Sequence, residues 1–488
     1  QSKSLHDAAR EYKRRYGRMP PKGFDKWYQF AVERDVMLID EFDQIDHDIA
    51  PFLALPPQTL RTRISQLEDL PTSFHIEILA GDLQIYGPLD EDPRALDVAE
   101  LIQDFVHLLP DLVMHASGHD TGSQIFAADF RKEAARLVSK GQYLSPENIT
   151  YYENTRRNPR KTLINACAED SAAVLQAASN ATSAIGRAEL VHDHRTTMNF
   201  CDNPAILEGH GALMFNNARG HKLSPYFVMC KLDNGGELLM PALSGYADRA
   251  NHKVTPWSQR NDSTIFWRGR TTGNHFNNEH DWRKSHRIQL HTLANAKDGN
   301  IAVLIEDPGT GLLDRRNFTR AELNKAYMDV GLVGPPTQCQ KDGTCKEMAE
   351  GIDFRPLVAA NAGNDKKFAL DVDGNGWSQR YQKLLASGAV VLKATIFPEW
   401  NTNWLIPYYH YIPIQHDYTD VYDAVAFFAG TPDGKGAHDA MAEKISNHSV
   451  EFAQKNWRWE DMQAYMFRLL LEYARLSSRD REKMTYKM

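Results

Sequence analysis

Apolar positions recur at helical spacing through residues 1 to about 70. Leu5, Ala8, Ala9, Tyr12 and Tyr16 share one face, and Phe42, Ile45 and Ile49 form a second stripe. Gly17 to Gly23, with Pro20-Pro21 inside it, separates the first helix from the next segment. At Ser73 the period shortens to two. Phe74-His75-Ile76-Glu77-Ile78 alternates, and Leu83-Gln84-Ile85-Tyr86 comes after a Gly-Asp turn, so two strands are predicted. Helical patterning returns over Val98 to Leu109 and Ser171 to Ile185.

The second half alternates between strand and helix. Thr264-Ile265-Phe266-Trp267 is a short apolar strand ending at Arg268-Gly269, and a polar loop leads to a helix through Trp282, His286, Leu290 and Leu293. Gly374-Asn375-Gly376 precedes a predicted helix beginning near Trp377 and carrying Tyr381, Leu384 and Leu385. That helix stops at Gly388, and Ala389-Val390-Val391-Leu392 continues as an unbroken apolar strand. Helix, glycine, then such a strand predicts a β–α–β unit with a buried parallel sheet. From about residue 435 the pattern is helical again, with Phe452, Trp457, Met462, Met466 and Leu469 to Leu471. The fold class is α/β, without internal repeats or low-complexity tracts.

Composition narrows the functional classes. The chain has 488 residues, 42% hydrophobic and 25% charged, an ordinary globular balance too long for one simple core. A net charge of −8, with no basic stripe, argues against a nucleic-acid binder. No run of 18 or more apolar residues offers a membrane span. The chain opens at Gln1 on a charged segment, which implies an upstream signal peptide, membrane anchor or cloning boundary. Of the five cysteines, Cys339 and Cys345 bracket a polar turn that a disulfide can close, and their spacing is not that of a zinc ribbon. Glycosylation sequons at Asn148, Asn180, Asn261, Asn317 and Asn447 lean toward the secretory route.

Several clusters can carry chemistry. Asp371-Val372-Asp373-Gly374-Asn375-Gly376 matches the opening of a calcium-binding loop, but its twelfth position is Gln382 where a bidentate Glu is needed. The same Asp-x-Asp could hold a metal–diphosphate pair. A different reading starts from Arg380, in the first turn of the predicted helix, where exposed N–H groups already favour an anion. Gly374 and Gly376 permit close backbone approach and Ser378 adds a hydroxyl, so a phosphate site is expected, with a solvated arginine on a glycine turn as the alternative. Arg268-Gly269-Arg270-Thr271-Thr272-Gly273 is a second cluster at a strand end, suited to a diphosphate, with His286 and Arg287 on the next helix. Asp202, in Asp-Asn-Pro, reads locally as an Asx-turn. Glu399-Trp400 precedes the aromatic stretch Trp404 to Tyr411, a sugar platform or core packing.

Four blocks appear in order: Trp267-Arg268-Gly269-Arg270-Thr271-Thr272, then Asp373-Gly374-x-Gly376-x-Ser378-x-Arg380, Ser387 to Lys393, and His410-Tyr411-Ile412-Pro413. They resemble the fungal capsule-associated proteins and animal protein O-glucosyltransferases, together glycosyltransferase family ninety. The strongest match spans about residues 190 to 430, and Tyr16-Gly17-Arg18-x-Pro20-Pro21-x-Gly23-Phe24-Asp25 is similar to the fungal branch. The resemblance implies a GT-B architecture of two Rossmann-like domains facing a cleft. In that division 1–70 is a helical extension and 71–250 the acceptor-side domain with the base. Residues 251–435 then form the nucleotide-sugar domain, and 436–488 the C-terminal helices. It also implies inversion without an essential metal or other cofactor, with Asp202-x-Pro204 at the family's catalytic Asp-x-Pro. Ser378 and Arg380 fall at donor-site positions and Glu399 at an acidic position near the donor. One departure is that animal enzymes read Phe-Arg-Gly-Ser-Arg-Thr, whereas here the second Arg position is Thr271 and its neighbour is Arg270.

The expectation is a UDP-sugar transferase, with Asp202 as base and Arg268, Gly269, Arg270, Thr271, Thr272, Arg287, Gly374, Gly376, Ser378, Arg380 and Glu399 around the donor. Fungal relatives favour UDP-xylose and a mannose-containing glycan acceptor, the product being a beta-1,2-xyloside. UDP-glucose transfer to protein, a metal-dependent transferase using Asp371 and Asp373, and a non-catalytic glycan-binding protein are the alternatives. Family and sequons together imply a Golgi lumenal location after an N-terminal anchor.

Overall fold

The computed structural model describes residues 1–68, 70–154, 163–179, 190–214, 222–244, 246, 254–307, 309–359 and 361–488. The sequon at Asn180, the end of the helix expected to reach Ile185, and the 250/251 boundary lie outside them. The protein is mixed α/β. Among the described residues one sheet holds β1 (Ser73–Leu79), β2 (Asp82–Tyr86), β3 (Leu112–Ser117), β4 (Phe227–Val228) and β5 (Leu238–Leu239), in the order β2-β1-β3-β4-β5. β1 is antiparallel to β2 and β3, whereas β3, β4 and β5 run parallel. The β1–β2 turn places Ala80 (φ 53°) and Gly81 (φ 86°) in the left-handed region, the geometry that matches hairpin twist. Ala80 N–H donates to Asp111 Oδ1 at 2.8 Å, which helps hold the strained alanine.

The second sheet is wholly parallel. It holds β6 (Asp262–Gly269), β9 (Met328–Leu332), β10 (Lys366–Val372), β11 (Val390–Ala394) and β12 (Ile412–Pro413), in the order β12-β11-β10-β6-β9. An antiparallel hairpin of β7 (Asn300–Glu306) and β8 (Leu313–Thr319) stands apart from it. After β6 the chain turns to β9 on one side, then crosses back to β10 on the other. The strand order therefore reverses between β6 and β10, where parallel sheets open a crevice at their C-terminal ends. β11 is buried throughout, as its apolar run predicts, and its Lys393 is neutralised by Asp371 on the neighbouring β10 at 2.8 Å.

The expected β–α–β unit is present, with one correction. The helix starts at Tyr381 rather than Trp377 and ends at Ser387, so Arg380 precedes the helix instead of lying in its first turn. Gly374-Asn375-Gly376 leads into a further turn through Trp377 to Arg380, which uses up those residues before the first helical bond. The helix expected over Val98 to Leu109 is shifted to Pro93–Gln103, capped by Asp92 and succeeded by a 3₁₀ turn.

The last helix, Trp459–Ser477, is buried from Asp461 to Leu476 against Phe24–Glu33, Asp43–Leu53, Pro57–Ser65 and Pro93–Gln103, with its buried Glu472 paired to Arg468 and Arg475. Trp27 Nε1 donates to the Ala464 carbonyl at 2.9 Å and Tyr473 hydroxyl to Val113 on β3 at 3.0 Å. The chain's end thus closes the core of the first sheet. No helix among the described residues is long and apolar enough to cross a membrane. Cys339–Cys345 is a disulfide, as its turn suggested; Cys167–Cys201 is a second, and Cys230 is free and buried.

Candidate active site

The side chains at the β6/β10 crevice build a cationic cluster around one indole. Trp267, buried on β6, has the Arg287 and Arg380 guanidinium carbons 5.7 and 5.6 Å from its ring centroid. Arg287 comes from the helix His286–Asn295. Its Nε donates to the Asp373 carbonyl at 2.7 Å, and its Nη1 to the Arg270 carbonyl at 3.0 Å and to Thr272 Oγ1 at 2.6 Å. Arg380 donates Nη1 to the Arg268 carbonyl at 2.8 Å and Nη2 to the Val372 carbonyl at 3.2 Å. Both therefore ride on backbone carbonyls at the ends of β6 and β10. Among the described residues neither has a carboxylate within ion-pair reach, and Arg287 Nη2 keeps no partner. Burial, then the neighbouring Arg380 charge, lowers the Arg287 pKa to about 9, and burial lowers that of Arg380. A buried and a half-buried cation with no ion-pair partner among the described residues are costly, and an anion at this point relieves both.

The turn after β10 shapes the floor. Gly374 N–H donates to the Gly376 carbonyl at 3.0 Å. A Cβ on Gly374 would stand 3.4 Å from Arg287 Nη2, so this glycine leaves the free donor open. Gly376 serves packing instead: a Cβ there would meet the Asp120 carbonyl at 2.7 Å and Cys230 Sγ at 2.8 Å. Asn375 links three parts of the chain, accepting from Gly273 N–H at 3.0 Å and donating to Asp120 Oδ2 at 3.0 Å.

The other expected donor residues divide by what already holds them. Arg268 is paired with Asp329 at 2.5 Å and donates to the Trp267 carbonyl at 3.0 Å, with its guanidinium over the Phe266 ring. Arg270 is exposed and contributes its carbonyl to Arg287. Thr271 is fully buried and exchanges hydrogen bonds with Thr337, so it anchors the loop. Thr272 faces Arg287, and Gly269 packs on Trp267. Ser378 donates to Asp371, whose other oxygen accepts from Lys393. Both Asp371 oxygens are thereby engaged by protein groups, and among the described residues no cluster of three or more metal-ligating side chains occurs. Glu399 lies 3.8 Å from Lys393 Nζ; burial raises its pKa to about 7, against the pull of that ammonium.

Asp373 sits under a layer of histidines. Its Oδ2 accepts from Ile396 N–H at 2.9 Å and lies 3.3 Å from His210 Nε2, while Oδ1 has no partner among the described residues. Burial raises its pKa to about 6. His210 and His286 are stacked with centroids 3.9 Å apart and planes 6° apart, and burial drives both pKa values well down, so both rings are neutral. His210 carries no motif in the sequence; only its place in the fold, against Asp373, marks it. Asp120 was hidden in the same way.

Asp202 is exposed, in the turn between the short helices His194–Met198 and Ile206–Gly209. Desolvation by its loop, then the facing charges of Asp233 and Asp193, lift its pKa above the ordinary aspartate value. The structure brings Arg287, Arg380, Thr272 and Gly374 together. Asp202 stands on the segment that runs from this turn to His210 and Gly211 at the crevice. In the aromatic stretch Trp404 and Tyr411 are buried, whereas Tyr408 and Tyr409 reach the surface.

Residues 342–486 match the model of glycosyl transferase family 90. The matched span holds β10, β11, β12 and the C-terminal helices, with Asp373, Gly374, Ser378, Arg380 and Glu399, and leaves Asp202, Arg268 and Arg287 outside. Protein O-glucosyltransferase 2 of Danio rerio is 31% identical over 111 residues. That alignment takes in 22% of this chain, which therefore spans only 21% of the relative's length.

Proposed function

We propose that this chain is an inverting UDP-sugar glycosyltransferase of GT-B type. The observation that carries the reading is the pair of arginines on Trp267, Arg287 buried and Arg380 half-buried, unpaired with any described carboxylate, at the point where the parallel sheet reverses its strand order. A nucleoside diphosphate suits that point: Arg287 Nη2 and the Thr272 hydroxyl supply donors for its oxygens, and Gly374, without a side chain, leaves room for their approach. Departure of the diphosphate breaks the bond to the anomeric carbon, and the developing negative charge meets those positive groups. The acceptor hydroxyl oxygen forms the new bond from the opposite face, and its proton passes to the Asp202 carboxylate. The raised pKa of Asp202 makes it a better proton acceptor than an ordinary aspartate. No metal is needed in this scheme, and the engagement of Asp371 by Ser378 and Lys393 weighs against the Asp371/Asp373 alternative.

Xylose from UDP-xylose, passed to a mannose-containing glycan, is the donor–acceptor pair we favour. UDP-glucose transfer to protein is the second reading, favoured by the similarity to the Danio rerio protein. Two disulfides, together with exposed asparagines in the four described sequons, support a secretory-pathway lumen, the Golgi in our reading. The test is a panel of UDP-sugars with mannoside and peptide acceptors in excess chelator. One donor turning over to an inverted product supports the proposal. Activity that appears only with added divalent metal would contradict the metal-free scheme, and no turnover with any UDP-sugar would favour a glycan-binding role.

A further inference from the structure

We infer that His286 is a positioning residue, which registers the segment bearing Asp202 against the donor turn Asp373–Gly376. The inference rests on the transferase reading above. Its imidazole makes two hydrogen bonds to two separate parts of the chain. Nε2 lies 3.0 Å from the Asp373 carbonyl, and Gly211 N–H points to Nδ1 at 3.3 Å. A carbonyl can only accept and an amide N–H can only donate, so both bonds form in one state of the ring: neutral, with the proton on Nε2.

The surroundings leave that ring no other place. The His210 ring lies parallel to it at 3.9 Å. Gly273 (φ 125°) passes so close that a Cβ there would stand 2.7 Å from His286 Cε1. A Cβ on Gly211 would stand 2.5 Å from the Gly273 carbonyl oxygen, and Asn274 Nδ2 donates to the Gly211 carbonyl at 2.6 Å. Three backbone stretches thus meet at the imidazole with no room for intervening side chains.

Asp202 and Gly211 are close in the chain, and one short helix, Ile206–Gly209, fills much of the interval between them. The Asp373 carbonyl also receives Arg287 Nε, so His286 and the principal donor cation share one acceptor. Displacing Gly211 moves the base relative to the anomeric carbon, and a shift of about 1 Å at a reacting group costs on the order of a hundredfold in rate. His286 touches neither substrate; it acts through the two segments that do.

The test compares His286→Phe, which keeps the stacked ring and loses both hydrogen bonds, with His286→Gln, which can donate and accept again. For His286→Phe we expect transfer kcat to fall at least about tenfold while the UDP Kd stays within about threefold, with recovery in His286→Gln. Amide exchange at Gly211, read on peptides covering 206–214, should quicken in His286→Phe and slow again in His286→Gln. Wild-type kcat with unchanged exchange in His286→Phe overturns the inference, as does a loss of UDP affinity that accounts for the whole loss in rate. The ring ¹⁵N shifts of the wild-type protein decide the matter if the variants do not fold. A neutral Nε2–H ring is expected, and a Nδ1–H ring or an imidazolium overturns it. If the wild type transfers no sugar, the transferase reading fails, while Gly211 exchange and the ring state still decide whether His286 joins the two segments.

Discussion

Arg287 and Arg268 carry the same charge near the same crevice, yet their partners give them different work. Arg287 is held by two carbonyls and a hydroxyl and keeps one nitrogen without a partner among the described residues, whereas Arg268 is spent on Asp329. Lysine cannot reproduce the fork at Arg287, so Arg287→Lys should weaken UDP binding by about 10- to 100-fold, the worth of one to two charged hydrogen bonds. Arg268→Lys should leave UDP affinity close to wild type; equal losses in the two variants, read by calorimetry, would refute the assignment. Glu399 gives a stability test. Its folded pKa of about 7 lies above the ordinary 4.5, so as pH rises from about 4.5 to 7 the unfolded chain ionises first and the folded state loses ground. Glu399→Gln lacks that loss. Its stability relative to wild type should therefore improve across that window by ~3 kcal/mol, on the scale of 1.4 kcal/mol per pKa unit, and level off above it. Denaturant titrations at pH 5 and pH 8 read this directly, and a gap independent of pH would count against it. At this scale the sequence was legible where residue type alone suffices, as with cations next to glycines at strand ends. It was not legible for Thr271 or Ser378, which look like ligand donors until their buried partners, Thr337 and Asp371, come into view.

The turn after β10 and the Tyr381–Ser387 helix show the same division among elements. Period and glycine position predicted the helix stop and the next strand, because Gly388 (φ 86°) ends the helix and β11 is buried on both faces. The helix start was misplaced, at Trp377 instead of Tyr381. Trp377 and Tyr381 keep helical spacing, yet Trp377 N–H is committed to Cys230 Sγ at 3.2 Å, a long-range partner that no local pattern reveals. The second strand of the β7–β8 hairpin gives no apolar signal for a related reason: β8 reads Leu-Asp-Arg-Arg-Asn-Phe-Thr and is exposed along most of its length. Gly388→Ala tests the turn. A Cβ would stand 2.7 Å from the Thr255 carbonyl oxygen in a backbone conformation that alanine disfavours, so we expect a loss of ~2 kcal/mol or more in thermal or chemical denaturation. A neutral effect would mean that the strand and the preceding loop can separate freely.

Over the whole molecule, the two sheets are tied at both ends of the chain's course. The C-terminal helix returns to the first core, where Trp457 and Tyr465 pack against Trp400 of the second half. Near the crevice, Asn375 reaches Asp120 and His286 reaches Gly211. Alternating strand and helix patterns made the α/β class legible. The meeting of the two halves was not, because it depends on aromatic packing around Trp400 and on polar contacts between residues more than 70 positions apart, which no local pattern reveals. That meeting is where the proposed function resides, since the proposed base, Asp202, stands on one half and the proposed donor cations on the other. Transfer from the accepted UDP-sugar and UDP affinity, measured side by side in excess chelator for wild type and Asp202→Asn, test this division most directly. We expect Asp202→Asn to bind UDP as wild type does and to lose transfer by about 10²-fold or more, as when a general base is removed. Retained transfer, or a loss of UDP affinity equal to the loss of rate, would contradict it.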